Sequence, residues 1–393
     1  MRSATLPPIS TKPFKDGNRG TNPWLRSLLV LGLLYLFLVG ITALSSTLKS
    51  MGASEAEGMI QAIRNPFAAL SVGILATVLV QSSSVTTSLI VAAAFQTAQT
   101  GVGLEDAIEP FIPMVMGANI GTTVTCTLAA LGHVTRDVEF ERAFGGATMH
   151  DFFNLITVAI LLPVELATGF LRSSAVWLVQ TLQLGDGMKF DSPVKSAVKE
   201  GYKAIEFLAK DVLGISGTFL HGTMIAVGIG LIFLCLVFIT KNMRALMATR
   251  FERIMNRTLQ KSGVVGMLIG MLITAAVQSS SITTSILIPM FGAGLLSHAN
   301  GLPIMLGANM GTTITALLAA VATGPAGLAI AFVHLLFNLT GILILYPIER
   351  VRMIPIRLSE GLARATVASK WWLLLFMGGT FVGIPLLGIM FFG

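Results

Sequence analysis

Charge is what this 393-residue chain has least of: Asp, Glu, Lys and Arg together make 11%, against roughly 25% in an ordinary soluble domain. With 54% apolar residues and a mean hydropathy of +0.81, the composition excludes a soluble globular protein and predicts a polytopic membrane protein. Cysteine is nearly as scarce. Cys126 and Cys235 both lie inside apolar runs, so neither a disulfide framework nor a thiolate metal site is expected. No short apolar core with a small-residue cleavage site precedes the first long apolar run. The polar residues 1–27, with Pro7, Pro8, Pro13 and Pro23, instead predict a disordered cytoplasmic tail ahead of an uncleaved first helix. The 26 Lys+Arg exceed the 19 Asp+Glu only mildly and sit mostly in loops. That pattern fits the positive-inside bias of a membrane protein, and nucleic acid is not an expected partner.

What fills the chain is apolar sequence in blocks. Stretches at about 28–48, 111–131, 143–170, 219–240 and 371–393 each fit one helical crossing, which takes about 20 residues. A longer run from 302 to about 347 is interrupted by Gly324-Pro325 and reads as two crossings. Two others, 66–98 and 263–297, are too long for one span. Each is cut by a polar cassette into pieces too short to span comfortably alone. A re-entrant helical hairpin with the cassette at its tip resolves both lengths, provided the tip faces protein or a water-filled cavity.

The cassettes are nearly identical: QSSSVTTS at Gln81–Ser88 and QSSSITTS at Gln278–Ser285. Three further matches follow in the same order. GANIGTTVT at Gly117–Thr125 returns as GANMGTTIT at Gly307–Thr315, His150–Asn154 returns as His334–Asn338, and LLPVE ending at Glu165 returns as LYPIE ending at Glu349. The chain is internally duplicated. Each copy has one span, a hairpin and two more spans, an odd number of crossings, so the second copy starts from the opposite side. The expected fold is therefore all-α, with two inverted repeats at 28–170 (hairpin 66–98) and 219–349 (hairpin 263–297). Residues 171–218 form an outer linker with an amphipathic helix, and 350–393 a basic linker and an extra C-terminal helix. An inside N-terminus puts Arg2, Lys12, Lys15, Arg19 and Arg26, the 241–261 linker and Arg350–Lys370 in the cytoplasm.

Hydroxyls and amides without partners are costly in a bilayer, so a duplicated polar tract there predicts a binding site assembled from both copies, as in a transporter. Hydroxyl groups both donate to oxyanions and accept at cations. Candidate anion donors are Gln81, Ser82, Ser83, Ser84, Gln278, Ser279, Ser280 and Ser281. Candidate Na+ ligands are Ser83, Thr86, Asn119, Thr122, Thr123, Ser280, Thr283, Asn309, Thr312 and Thr313. The glycines flanking Asn119 and Asn309 are expected to break their helices and bring carbonyls to the hairpin tips. Among intramembrane ionisable residues, His150 and His334 recur while Asp151 is replaced by Leu335; the histidines read first as braces between helices. From the residues alone the anion is unnamed, and a channel stays open as an alternative. An intramembrane serine hydrolase fits poorly, because two matched serine triplets suit symmetric binding better than a single nucleophile.

The paired QSSS cassettes, the two GANxGTT segments and the run Gly145–Glu165 resemble the type II sodium-dependent phosphate cotransporters, over roughly 65–170 and 260–350. The resemblance implies Na+-coupled uptake of inorganic phosphate, with phosphate at Gln81–Ser84 and Gln278–Ser281 and Na+ as the coupling ion, no other cofactor being implied. It implies a compact bacterial version in the cytoplasmic (inner) membrane, where a homodimer is compatible with the plan. Sulfate or a dicarboxylate is the nearest rival substrate. The family's animal members carry a large disulfide-stapled outer loop, whereas 171–218 here has no cysteine.

Overall fold

The computed structural model describes residues 23–50, 63–182, 193–258 and 263–393, and these form helices and turns without a strand. Among the described residues, seven helical stretches are long and apolar enough to cross a bilayer: Trp24–Leu44, Leu104–His133, Asp137–Thr168, Gly217–Ile239, His298–Val321, Pro325–Leu345 and Trp371–Phe392. They coincide with the five single spans and the divided 302–347 run expected from the sequence. The protein is an all-α polytopic membrane protein.

The chain opens with α1 (Pro23–Ser50), followed by a helix pair, α2 (Pro66–Val80) and α3 (Ser83–Ala98). Pro66 fits the first turn of α2, where its missing N–H is not needed, and Asn65 caps that turn by accepting from Phe67 N at 2.9 Å. Next come α4 (Leu104–Ile108), α5 (Phe111–Thr122), α6 (Val124–Ala130) and the long α7 (Asp137–Thr168). α7 stops at Gly169, which takes φ +63° and donates its N–H to Glu165 O at 2.7 Å. The segments α8 (Phe170–Thr181) and α9 (Pro193–Phe207) lead to α10 (Gly217–Thr258). The second helix pair is α11 (Gly263–Val277) and α12 (Ser280–Gly292). It is followed by α13 (His298–Gly311), α14 (Thr313–Val321), α15 (Pro325–Leu345) and α16 (Glu349–Ala368), and the chain ends in α17 (Trp371–Gly378) and α18 (Ile384–Phe392).

Glycine decides how closely helices pack within each half. A Cβ on Gly117 would run into the Leu70 carbonyl, and one on Gly73 into that of Met114, so α2 and α5 touch backbone to backbone. The second half repeats this: Gly307 meets the Met267 carbonyl and Gly270 the Ile304 carbonyl, joining α11 to α13. The second helix of each pair crosses to the other half. α3 packs on α14 and α15, while α12 packs on α6 and α7. Helices α1 and α10 lie side by side, with Gly40 and Gly228 at their closest approach: a Cβ on either would sit 3.0 Å from the other's carbonyl oxygen. α18 runs along α2, where the Phe67 and Phe392 rings are 5.4 Å apart.

Four expectations need adjustment. Residues 23–27, placed in the tail, already belong to α1, because Pro23 suits a helix start; residues 1–22 lie outside the described residues. The 171–218 linker holds a further helix, α8, besides the expected amphipathic one, α9, which also packs on α1, with Tyr35 Oη donating to Ala197 O at 3.0 Å. The basic segment after 349 is not an open linker but a 20-residue helix. Finally, the helices do not break at the glycines around Asn119 and Asn309. α5 runs through Gly117 and Gly121, and α13 runs through Gly307 and ends on Gly311, so the interruptions fall after the asparagine, at Thr123 and Thr312. Those glycines serve close packing, which a continuous helix satisfies better than an unwound one.

Candidate functional site

Gln81 and Gln278 are the only non-glycine residues with positive φ among the described residues, at 56° and 58°. The left-handed region costs an L-residue roughly 1–2 kcal/mol, so its use twice at matched positions calls for a local cause. The side chain supplies it. Each glutamine ends the first helix of a pair, and its amide N–H folds back onto that helix: Gln81 Nε2 donates to Val78 O at 2.6 Å, and Gln278 Nε2 to Ala275 O. A carbonyl orphaned at the helix end is thereby satisfied. The amide oxygen then accepts from the last threonine of the GANxGTTxT segment: Thr125 Oγ1 at 3.4 Å in the first half and Thr315 Oγ1 at 2.8 Å in the second. One glutamine thus closes a helix and locks it to the neighbouring motif, in both halves.

The next residue turns the chain into a new helix. Ser82 (φ −154°, ψ 105°) and Ser279 (φ −155°, ψ 111°) are extended caps, so α3 and α12 begin inside the cassettes. Their N-terminal N–H groups and the positive end of the helix dipole collect at the QSSS residues, an arrangement suited to an anion.

Hydrogen bonding separates the QSSS serines from the threonines. Thr87 donates to Ser83 O (2.8 Å), Thr122 to Ala118 O (2.8 Å), Thr123 to Ile120 O (2.8 Å), Thr284 to Ser280 O (2.9 Å) and Thr313 to Met310 O (2.7 Å). Thr86, Thr283 and Thr312 bond back in the same way, to Ser82 O, Ser279 O and Asn309 O. A hydroxyl that has given its hydrogen to the backbone presents lone pairs, which suit a cation. No hydroxyl of Ser83, Ser84, Ser279, Ser280 or Ser281 donates to another described residue, which leaves those hydrogens for an anion. The predicted residues are mostly sheltered. Ser83, Ser84, Thr86, Asn119, Thr122, Thr123, Gln278, Ser280, Thr283, Asn309, Thr312 and Thr313 are buried, Ser82, Ser279 and Ser281 are half-buried, and Gln81 is exposed.

No hydrogen bond joins the two cassettes directly among the described residues. The halves are tied through a buried lattice beside them. Asn154 Nδ2 donates to Asn119 O (2.8 Å), Asn309 Nδ2 to Asn338 Oδ1 (2.8 Å) and Asn154 Oδ1 (3.4 Å), and His334 Nε2 meets Asn119 Oδ1 at 3.3 Å. An amide oxygen can only accept, so that imidazole nitrogen carries the hydrogen. The counterpart contact, His150 to Asn309, is not made: both His150 ring nitrogens and Asn309 Oδ1 are buried without a partner among the described residues. His334 is a brace, as expected; His150 is not.

The sequence pattern of the Na+/Pi-cotransporter family matches residues 36–183 and 231–354. The chain belongs to that family. Both cassettes, both GANxGTT segments and the asparagine lattice fall inside the family's matched ranges. Among its relatives are the sodium-dependent phosphate transport protein 2A of Rattus norvegicus, 31% identical over 91% of this chain and 66% of that protein, and its Ovis aries counterpart, 30% identical over the same shares. The sodium-dependent phosphate transport protein 2B of Homo sapiens is 31% identical over 92% of this chain and 64% of its own length. The chain thus spans just under two thirds of the length of the curated relatives it matches. No solved structure matches it.

Three contacts could not be read from the sequence. Thr125 and Thr315 were visible as motif residues, but only the fold shows them holding the cassette glutamines. Cys126, read as a small buried filler, is within hydrogen-bonding distance of Thr284 Oγ1 at 2.8 Å and links the first half to the second cassette. A cysteine within an apolar run carries no signal for such a contact.

Proposed function

We propose that the protein is a secondary active transporter that carries inorganic phosphate into the cell together with Na+. The observation that carries the reading is the matched pair of left-handed glutamines, each locking a cassette to a GANxGTTxT threonine, in a chain of the Na+/Pi-cotransporter family. In this reading, phosphate binds through Gln81–Ser84 and Gln278–Ser281, at the N-terminal ends of α3 and α12. Na+ binds the lone pairs of Ser83, Thr86, Asn119, Thr122, Thr123 and of Ser280, Thr283, Asn309, Thr312, Thr313. Neither cassette contains Lys or Arg, so within the cassettes a bound oxyanion meets no full positive charge besides a bound cation. Coupling follows from that: without Na+ the site holds the anion weakly.

The helix pairs α2–α3 and α11–α12 are read as re-entrant hairpins of two inverted repeats. At 15, 16, 15 and 13 residues, with a rise of 1.5 Å per residue, each helix reaches only about 20–24 Å, short of the roughly 30 Å hydrocarbon core. Alternating access then moves the hairpins and the α5 and α13 helices against the glycine-paired α1 and α10. The distribution of basic residues favours a cytoplasmic N-terminus, and the membrane is taken to be a bacterial cytoplasmic membrane. The test is uptake of 32P-phosphate into proteoliposomes. Accumulation with an inward Na+ gradient and none with choline supports symport; Na+-independent equilibration would overturn it in favour of a channel.

A further inference from the structure

The two halves carry the same buried amides and imidazoles but bond them differently. On α15, His334 Nε2 donates to Asn119 Oδ1 at 3.3 Å, and on α7 Asn154 Nδ2 donates to Asn119 O at 2.8 Å. The matching atoms around Asn309 are idle. His150 is 1% exposed with neither ring nitrogen bonded among the described residues, and Asn309 Oδ1 and Asn338 Nδ2 are likewise buried and unpartnered among them. The carbonyl that Asn338 would reach, Asn309 O, accepts from the Thr312 hydroxyl instead. Its counterpart Thr122 donates one residue further back, to Ala118 O, and so leaves Asn119 O to Asn154. Each of the two contacts at Asn119 therefore has an unmade counterpart at Asn309. Buried polar groups without partners are costly, so a matched set left unmade calls for a state in which it is made.

We propose that His150 is a positioning residue of transport: its ring N–H grips Asn309 Oδ1 in the opposite-facing state, as His334 grips Asn119 in this one. The layout allows it. α7 packs on α13 just as α15 packs on α5. His150 lies one helical turn from Asn154 on the same face of α7, and Asn154 Oδ1 already meets Asn309 Nδ2 at 3.4 Å. A relative slide of at most about one turn, within the range of helix shifts in switching proteins, brings the pair together. Inverted repeats related by an axis in the membrane plane exchange sides by exchanging conformations, so a state that leaves one histidine idle has a mirror state that leaves the other idle. One hydrogen bond breaks for each one made. The two states then stay close enough in energy for Na+ and phosphate to decide between them. This rests on the alternating-access reading and names the residues that hold each of its states.

The test is double electron–electron resonance on the full-length protein in nanodiscs, in a Cys126→Ala, Cys235→Ala background. Nitroxide labels are placed at Leu31→Cys on α1 and Leu272→Cys on α11, both exposed positions. His150→Phe removes the grip of the opposite state and His334→Phe that of this one. They are expected to move the ratio of the two distance populations in opposite directions, each by about two- to twelvefold, the worth of one hydrogen bond. His150→Leu serves if the phenylalanine variant does not fold. A ratio unmoved by the folded His150 variant, or moved the same way by both histidine variants, overturns the proposal; a brace at His334 alone would give the first of these. A wild type with a single distance, unmoved by Na+ and phosphate, would sink the alternating-access reading itself and the proposal with it.

Discussion

The two glutamine–threonine locks are alike in chemistry and unlike in environment, which makes their removal a graded test. Gln278 is 9% exposed and its oxygen accepts from Thr315 at 2.8 Å; Gln81 is exposed and its contact with Thr125 is 3.4 Å. Thr315→Val keeps the side-chain shape but leaves a buried amide oxygen unpartnered, at a cost of roughly 1–3 kcal/mol. Charged against the binding-competent geometry, that is about a 5- to 150-fold loss of apparent affinity. Thr125→Val removes a longer bond from an amide that water can solvate, so a change below about fivefold is expected. The assay is Na+-dependent 32P-phosphate uptake into proteoliposomes over a range of phosphate concentrations, with a thermal melt of each variant to confirm folding. Equal losses in the two variants, or a larger loss in Thr125→Val, would refute the reasoning from burial and distance.

Gly307→Ala and Gly117→Ala drive a methyl group into the Met267 and Leu70 carbonyls; overpacking of this kind costs about 1–3 kcal/mol and should lower the melting temperature. Gly32→Ala, with nothing within 4 Å of the added carbon, should leave the melting temperature unchanged. His334→Phe strips Asn119 Oδ1 of its partner, whereas His150→Phe removes nitrogens that bond to no described residue. The first should therefore be the more destabilising in the same melt, by about 1–3 kcal/mol. Arg172→Gln breaks a part-exposed ion pair with Glu109 (2.8 Å) and should change stability by less than about 1 kcal/mol.

The layout of the chain could be read from its sequence because bilayer thickness converts length into crossings. The seven apolar spans, the two cassette interruptions and the Gly324-Pro325 division all follow from that single constraint. The duplication was equally plain, since four motifs return in order. The role of the glycines could not be read. Gly117 and Gly307 beside an asparagine suit an unwound helix and a tightly packed one equally, and only the Leu70 and Met267 carbonyls above them decide the matter. The left-handed glutamines were also hidden, because glutamine has no particular preference for that region. They take it here because their amides can cap one helix and grip another at once. Cross-half contacts such as Cys126 to Thr284 join residues 158 positions apart and leave no local pattern. The same holds for the unequal bonding of His150 and His334: the recurrence was visible, but not that His334 meets an asparagine oxygen while His150 does not.

The central claim is that the cassettes of both halves build one Na+-coupled phosphate site. Initial rates of Na+-driven phosphate uptake by Gln81→Ala and Gln278→Ala, measured separately at equal amounts of folded protein, test it most directly. A single shared site predicts that each substitution alone reduces uptake to background. Two independent sites predict that each variant keeps about half the wild-type rate, and that result would contradict the account.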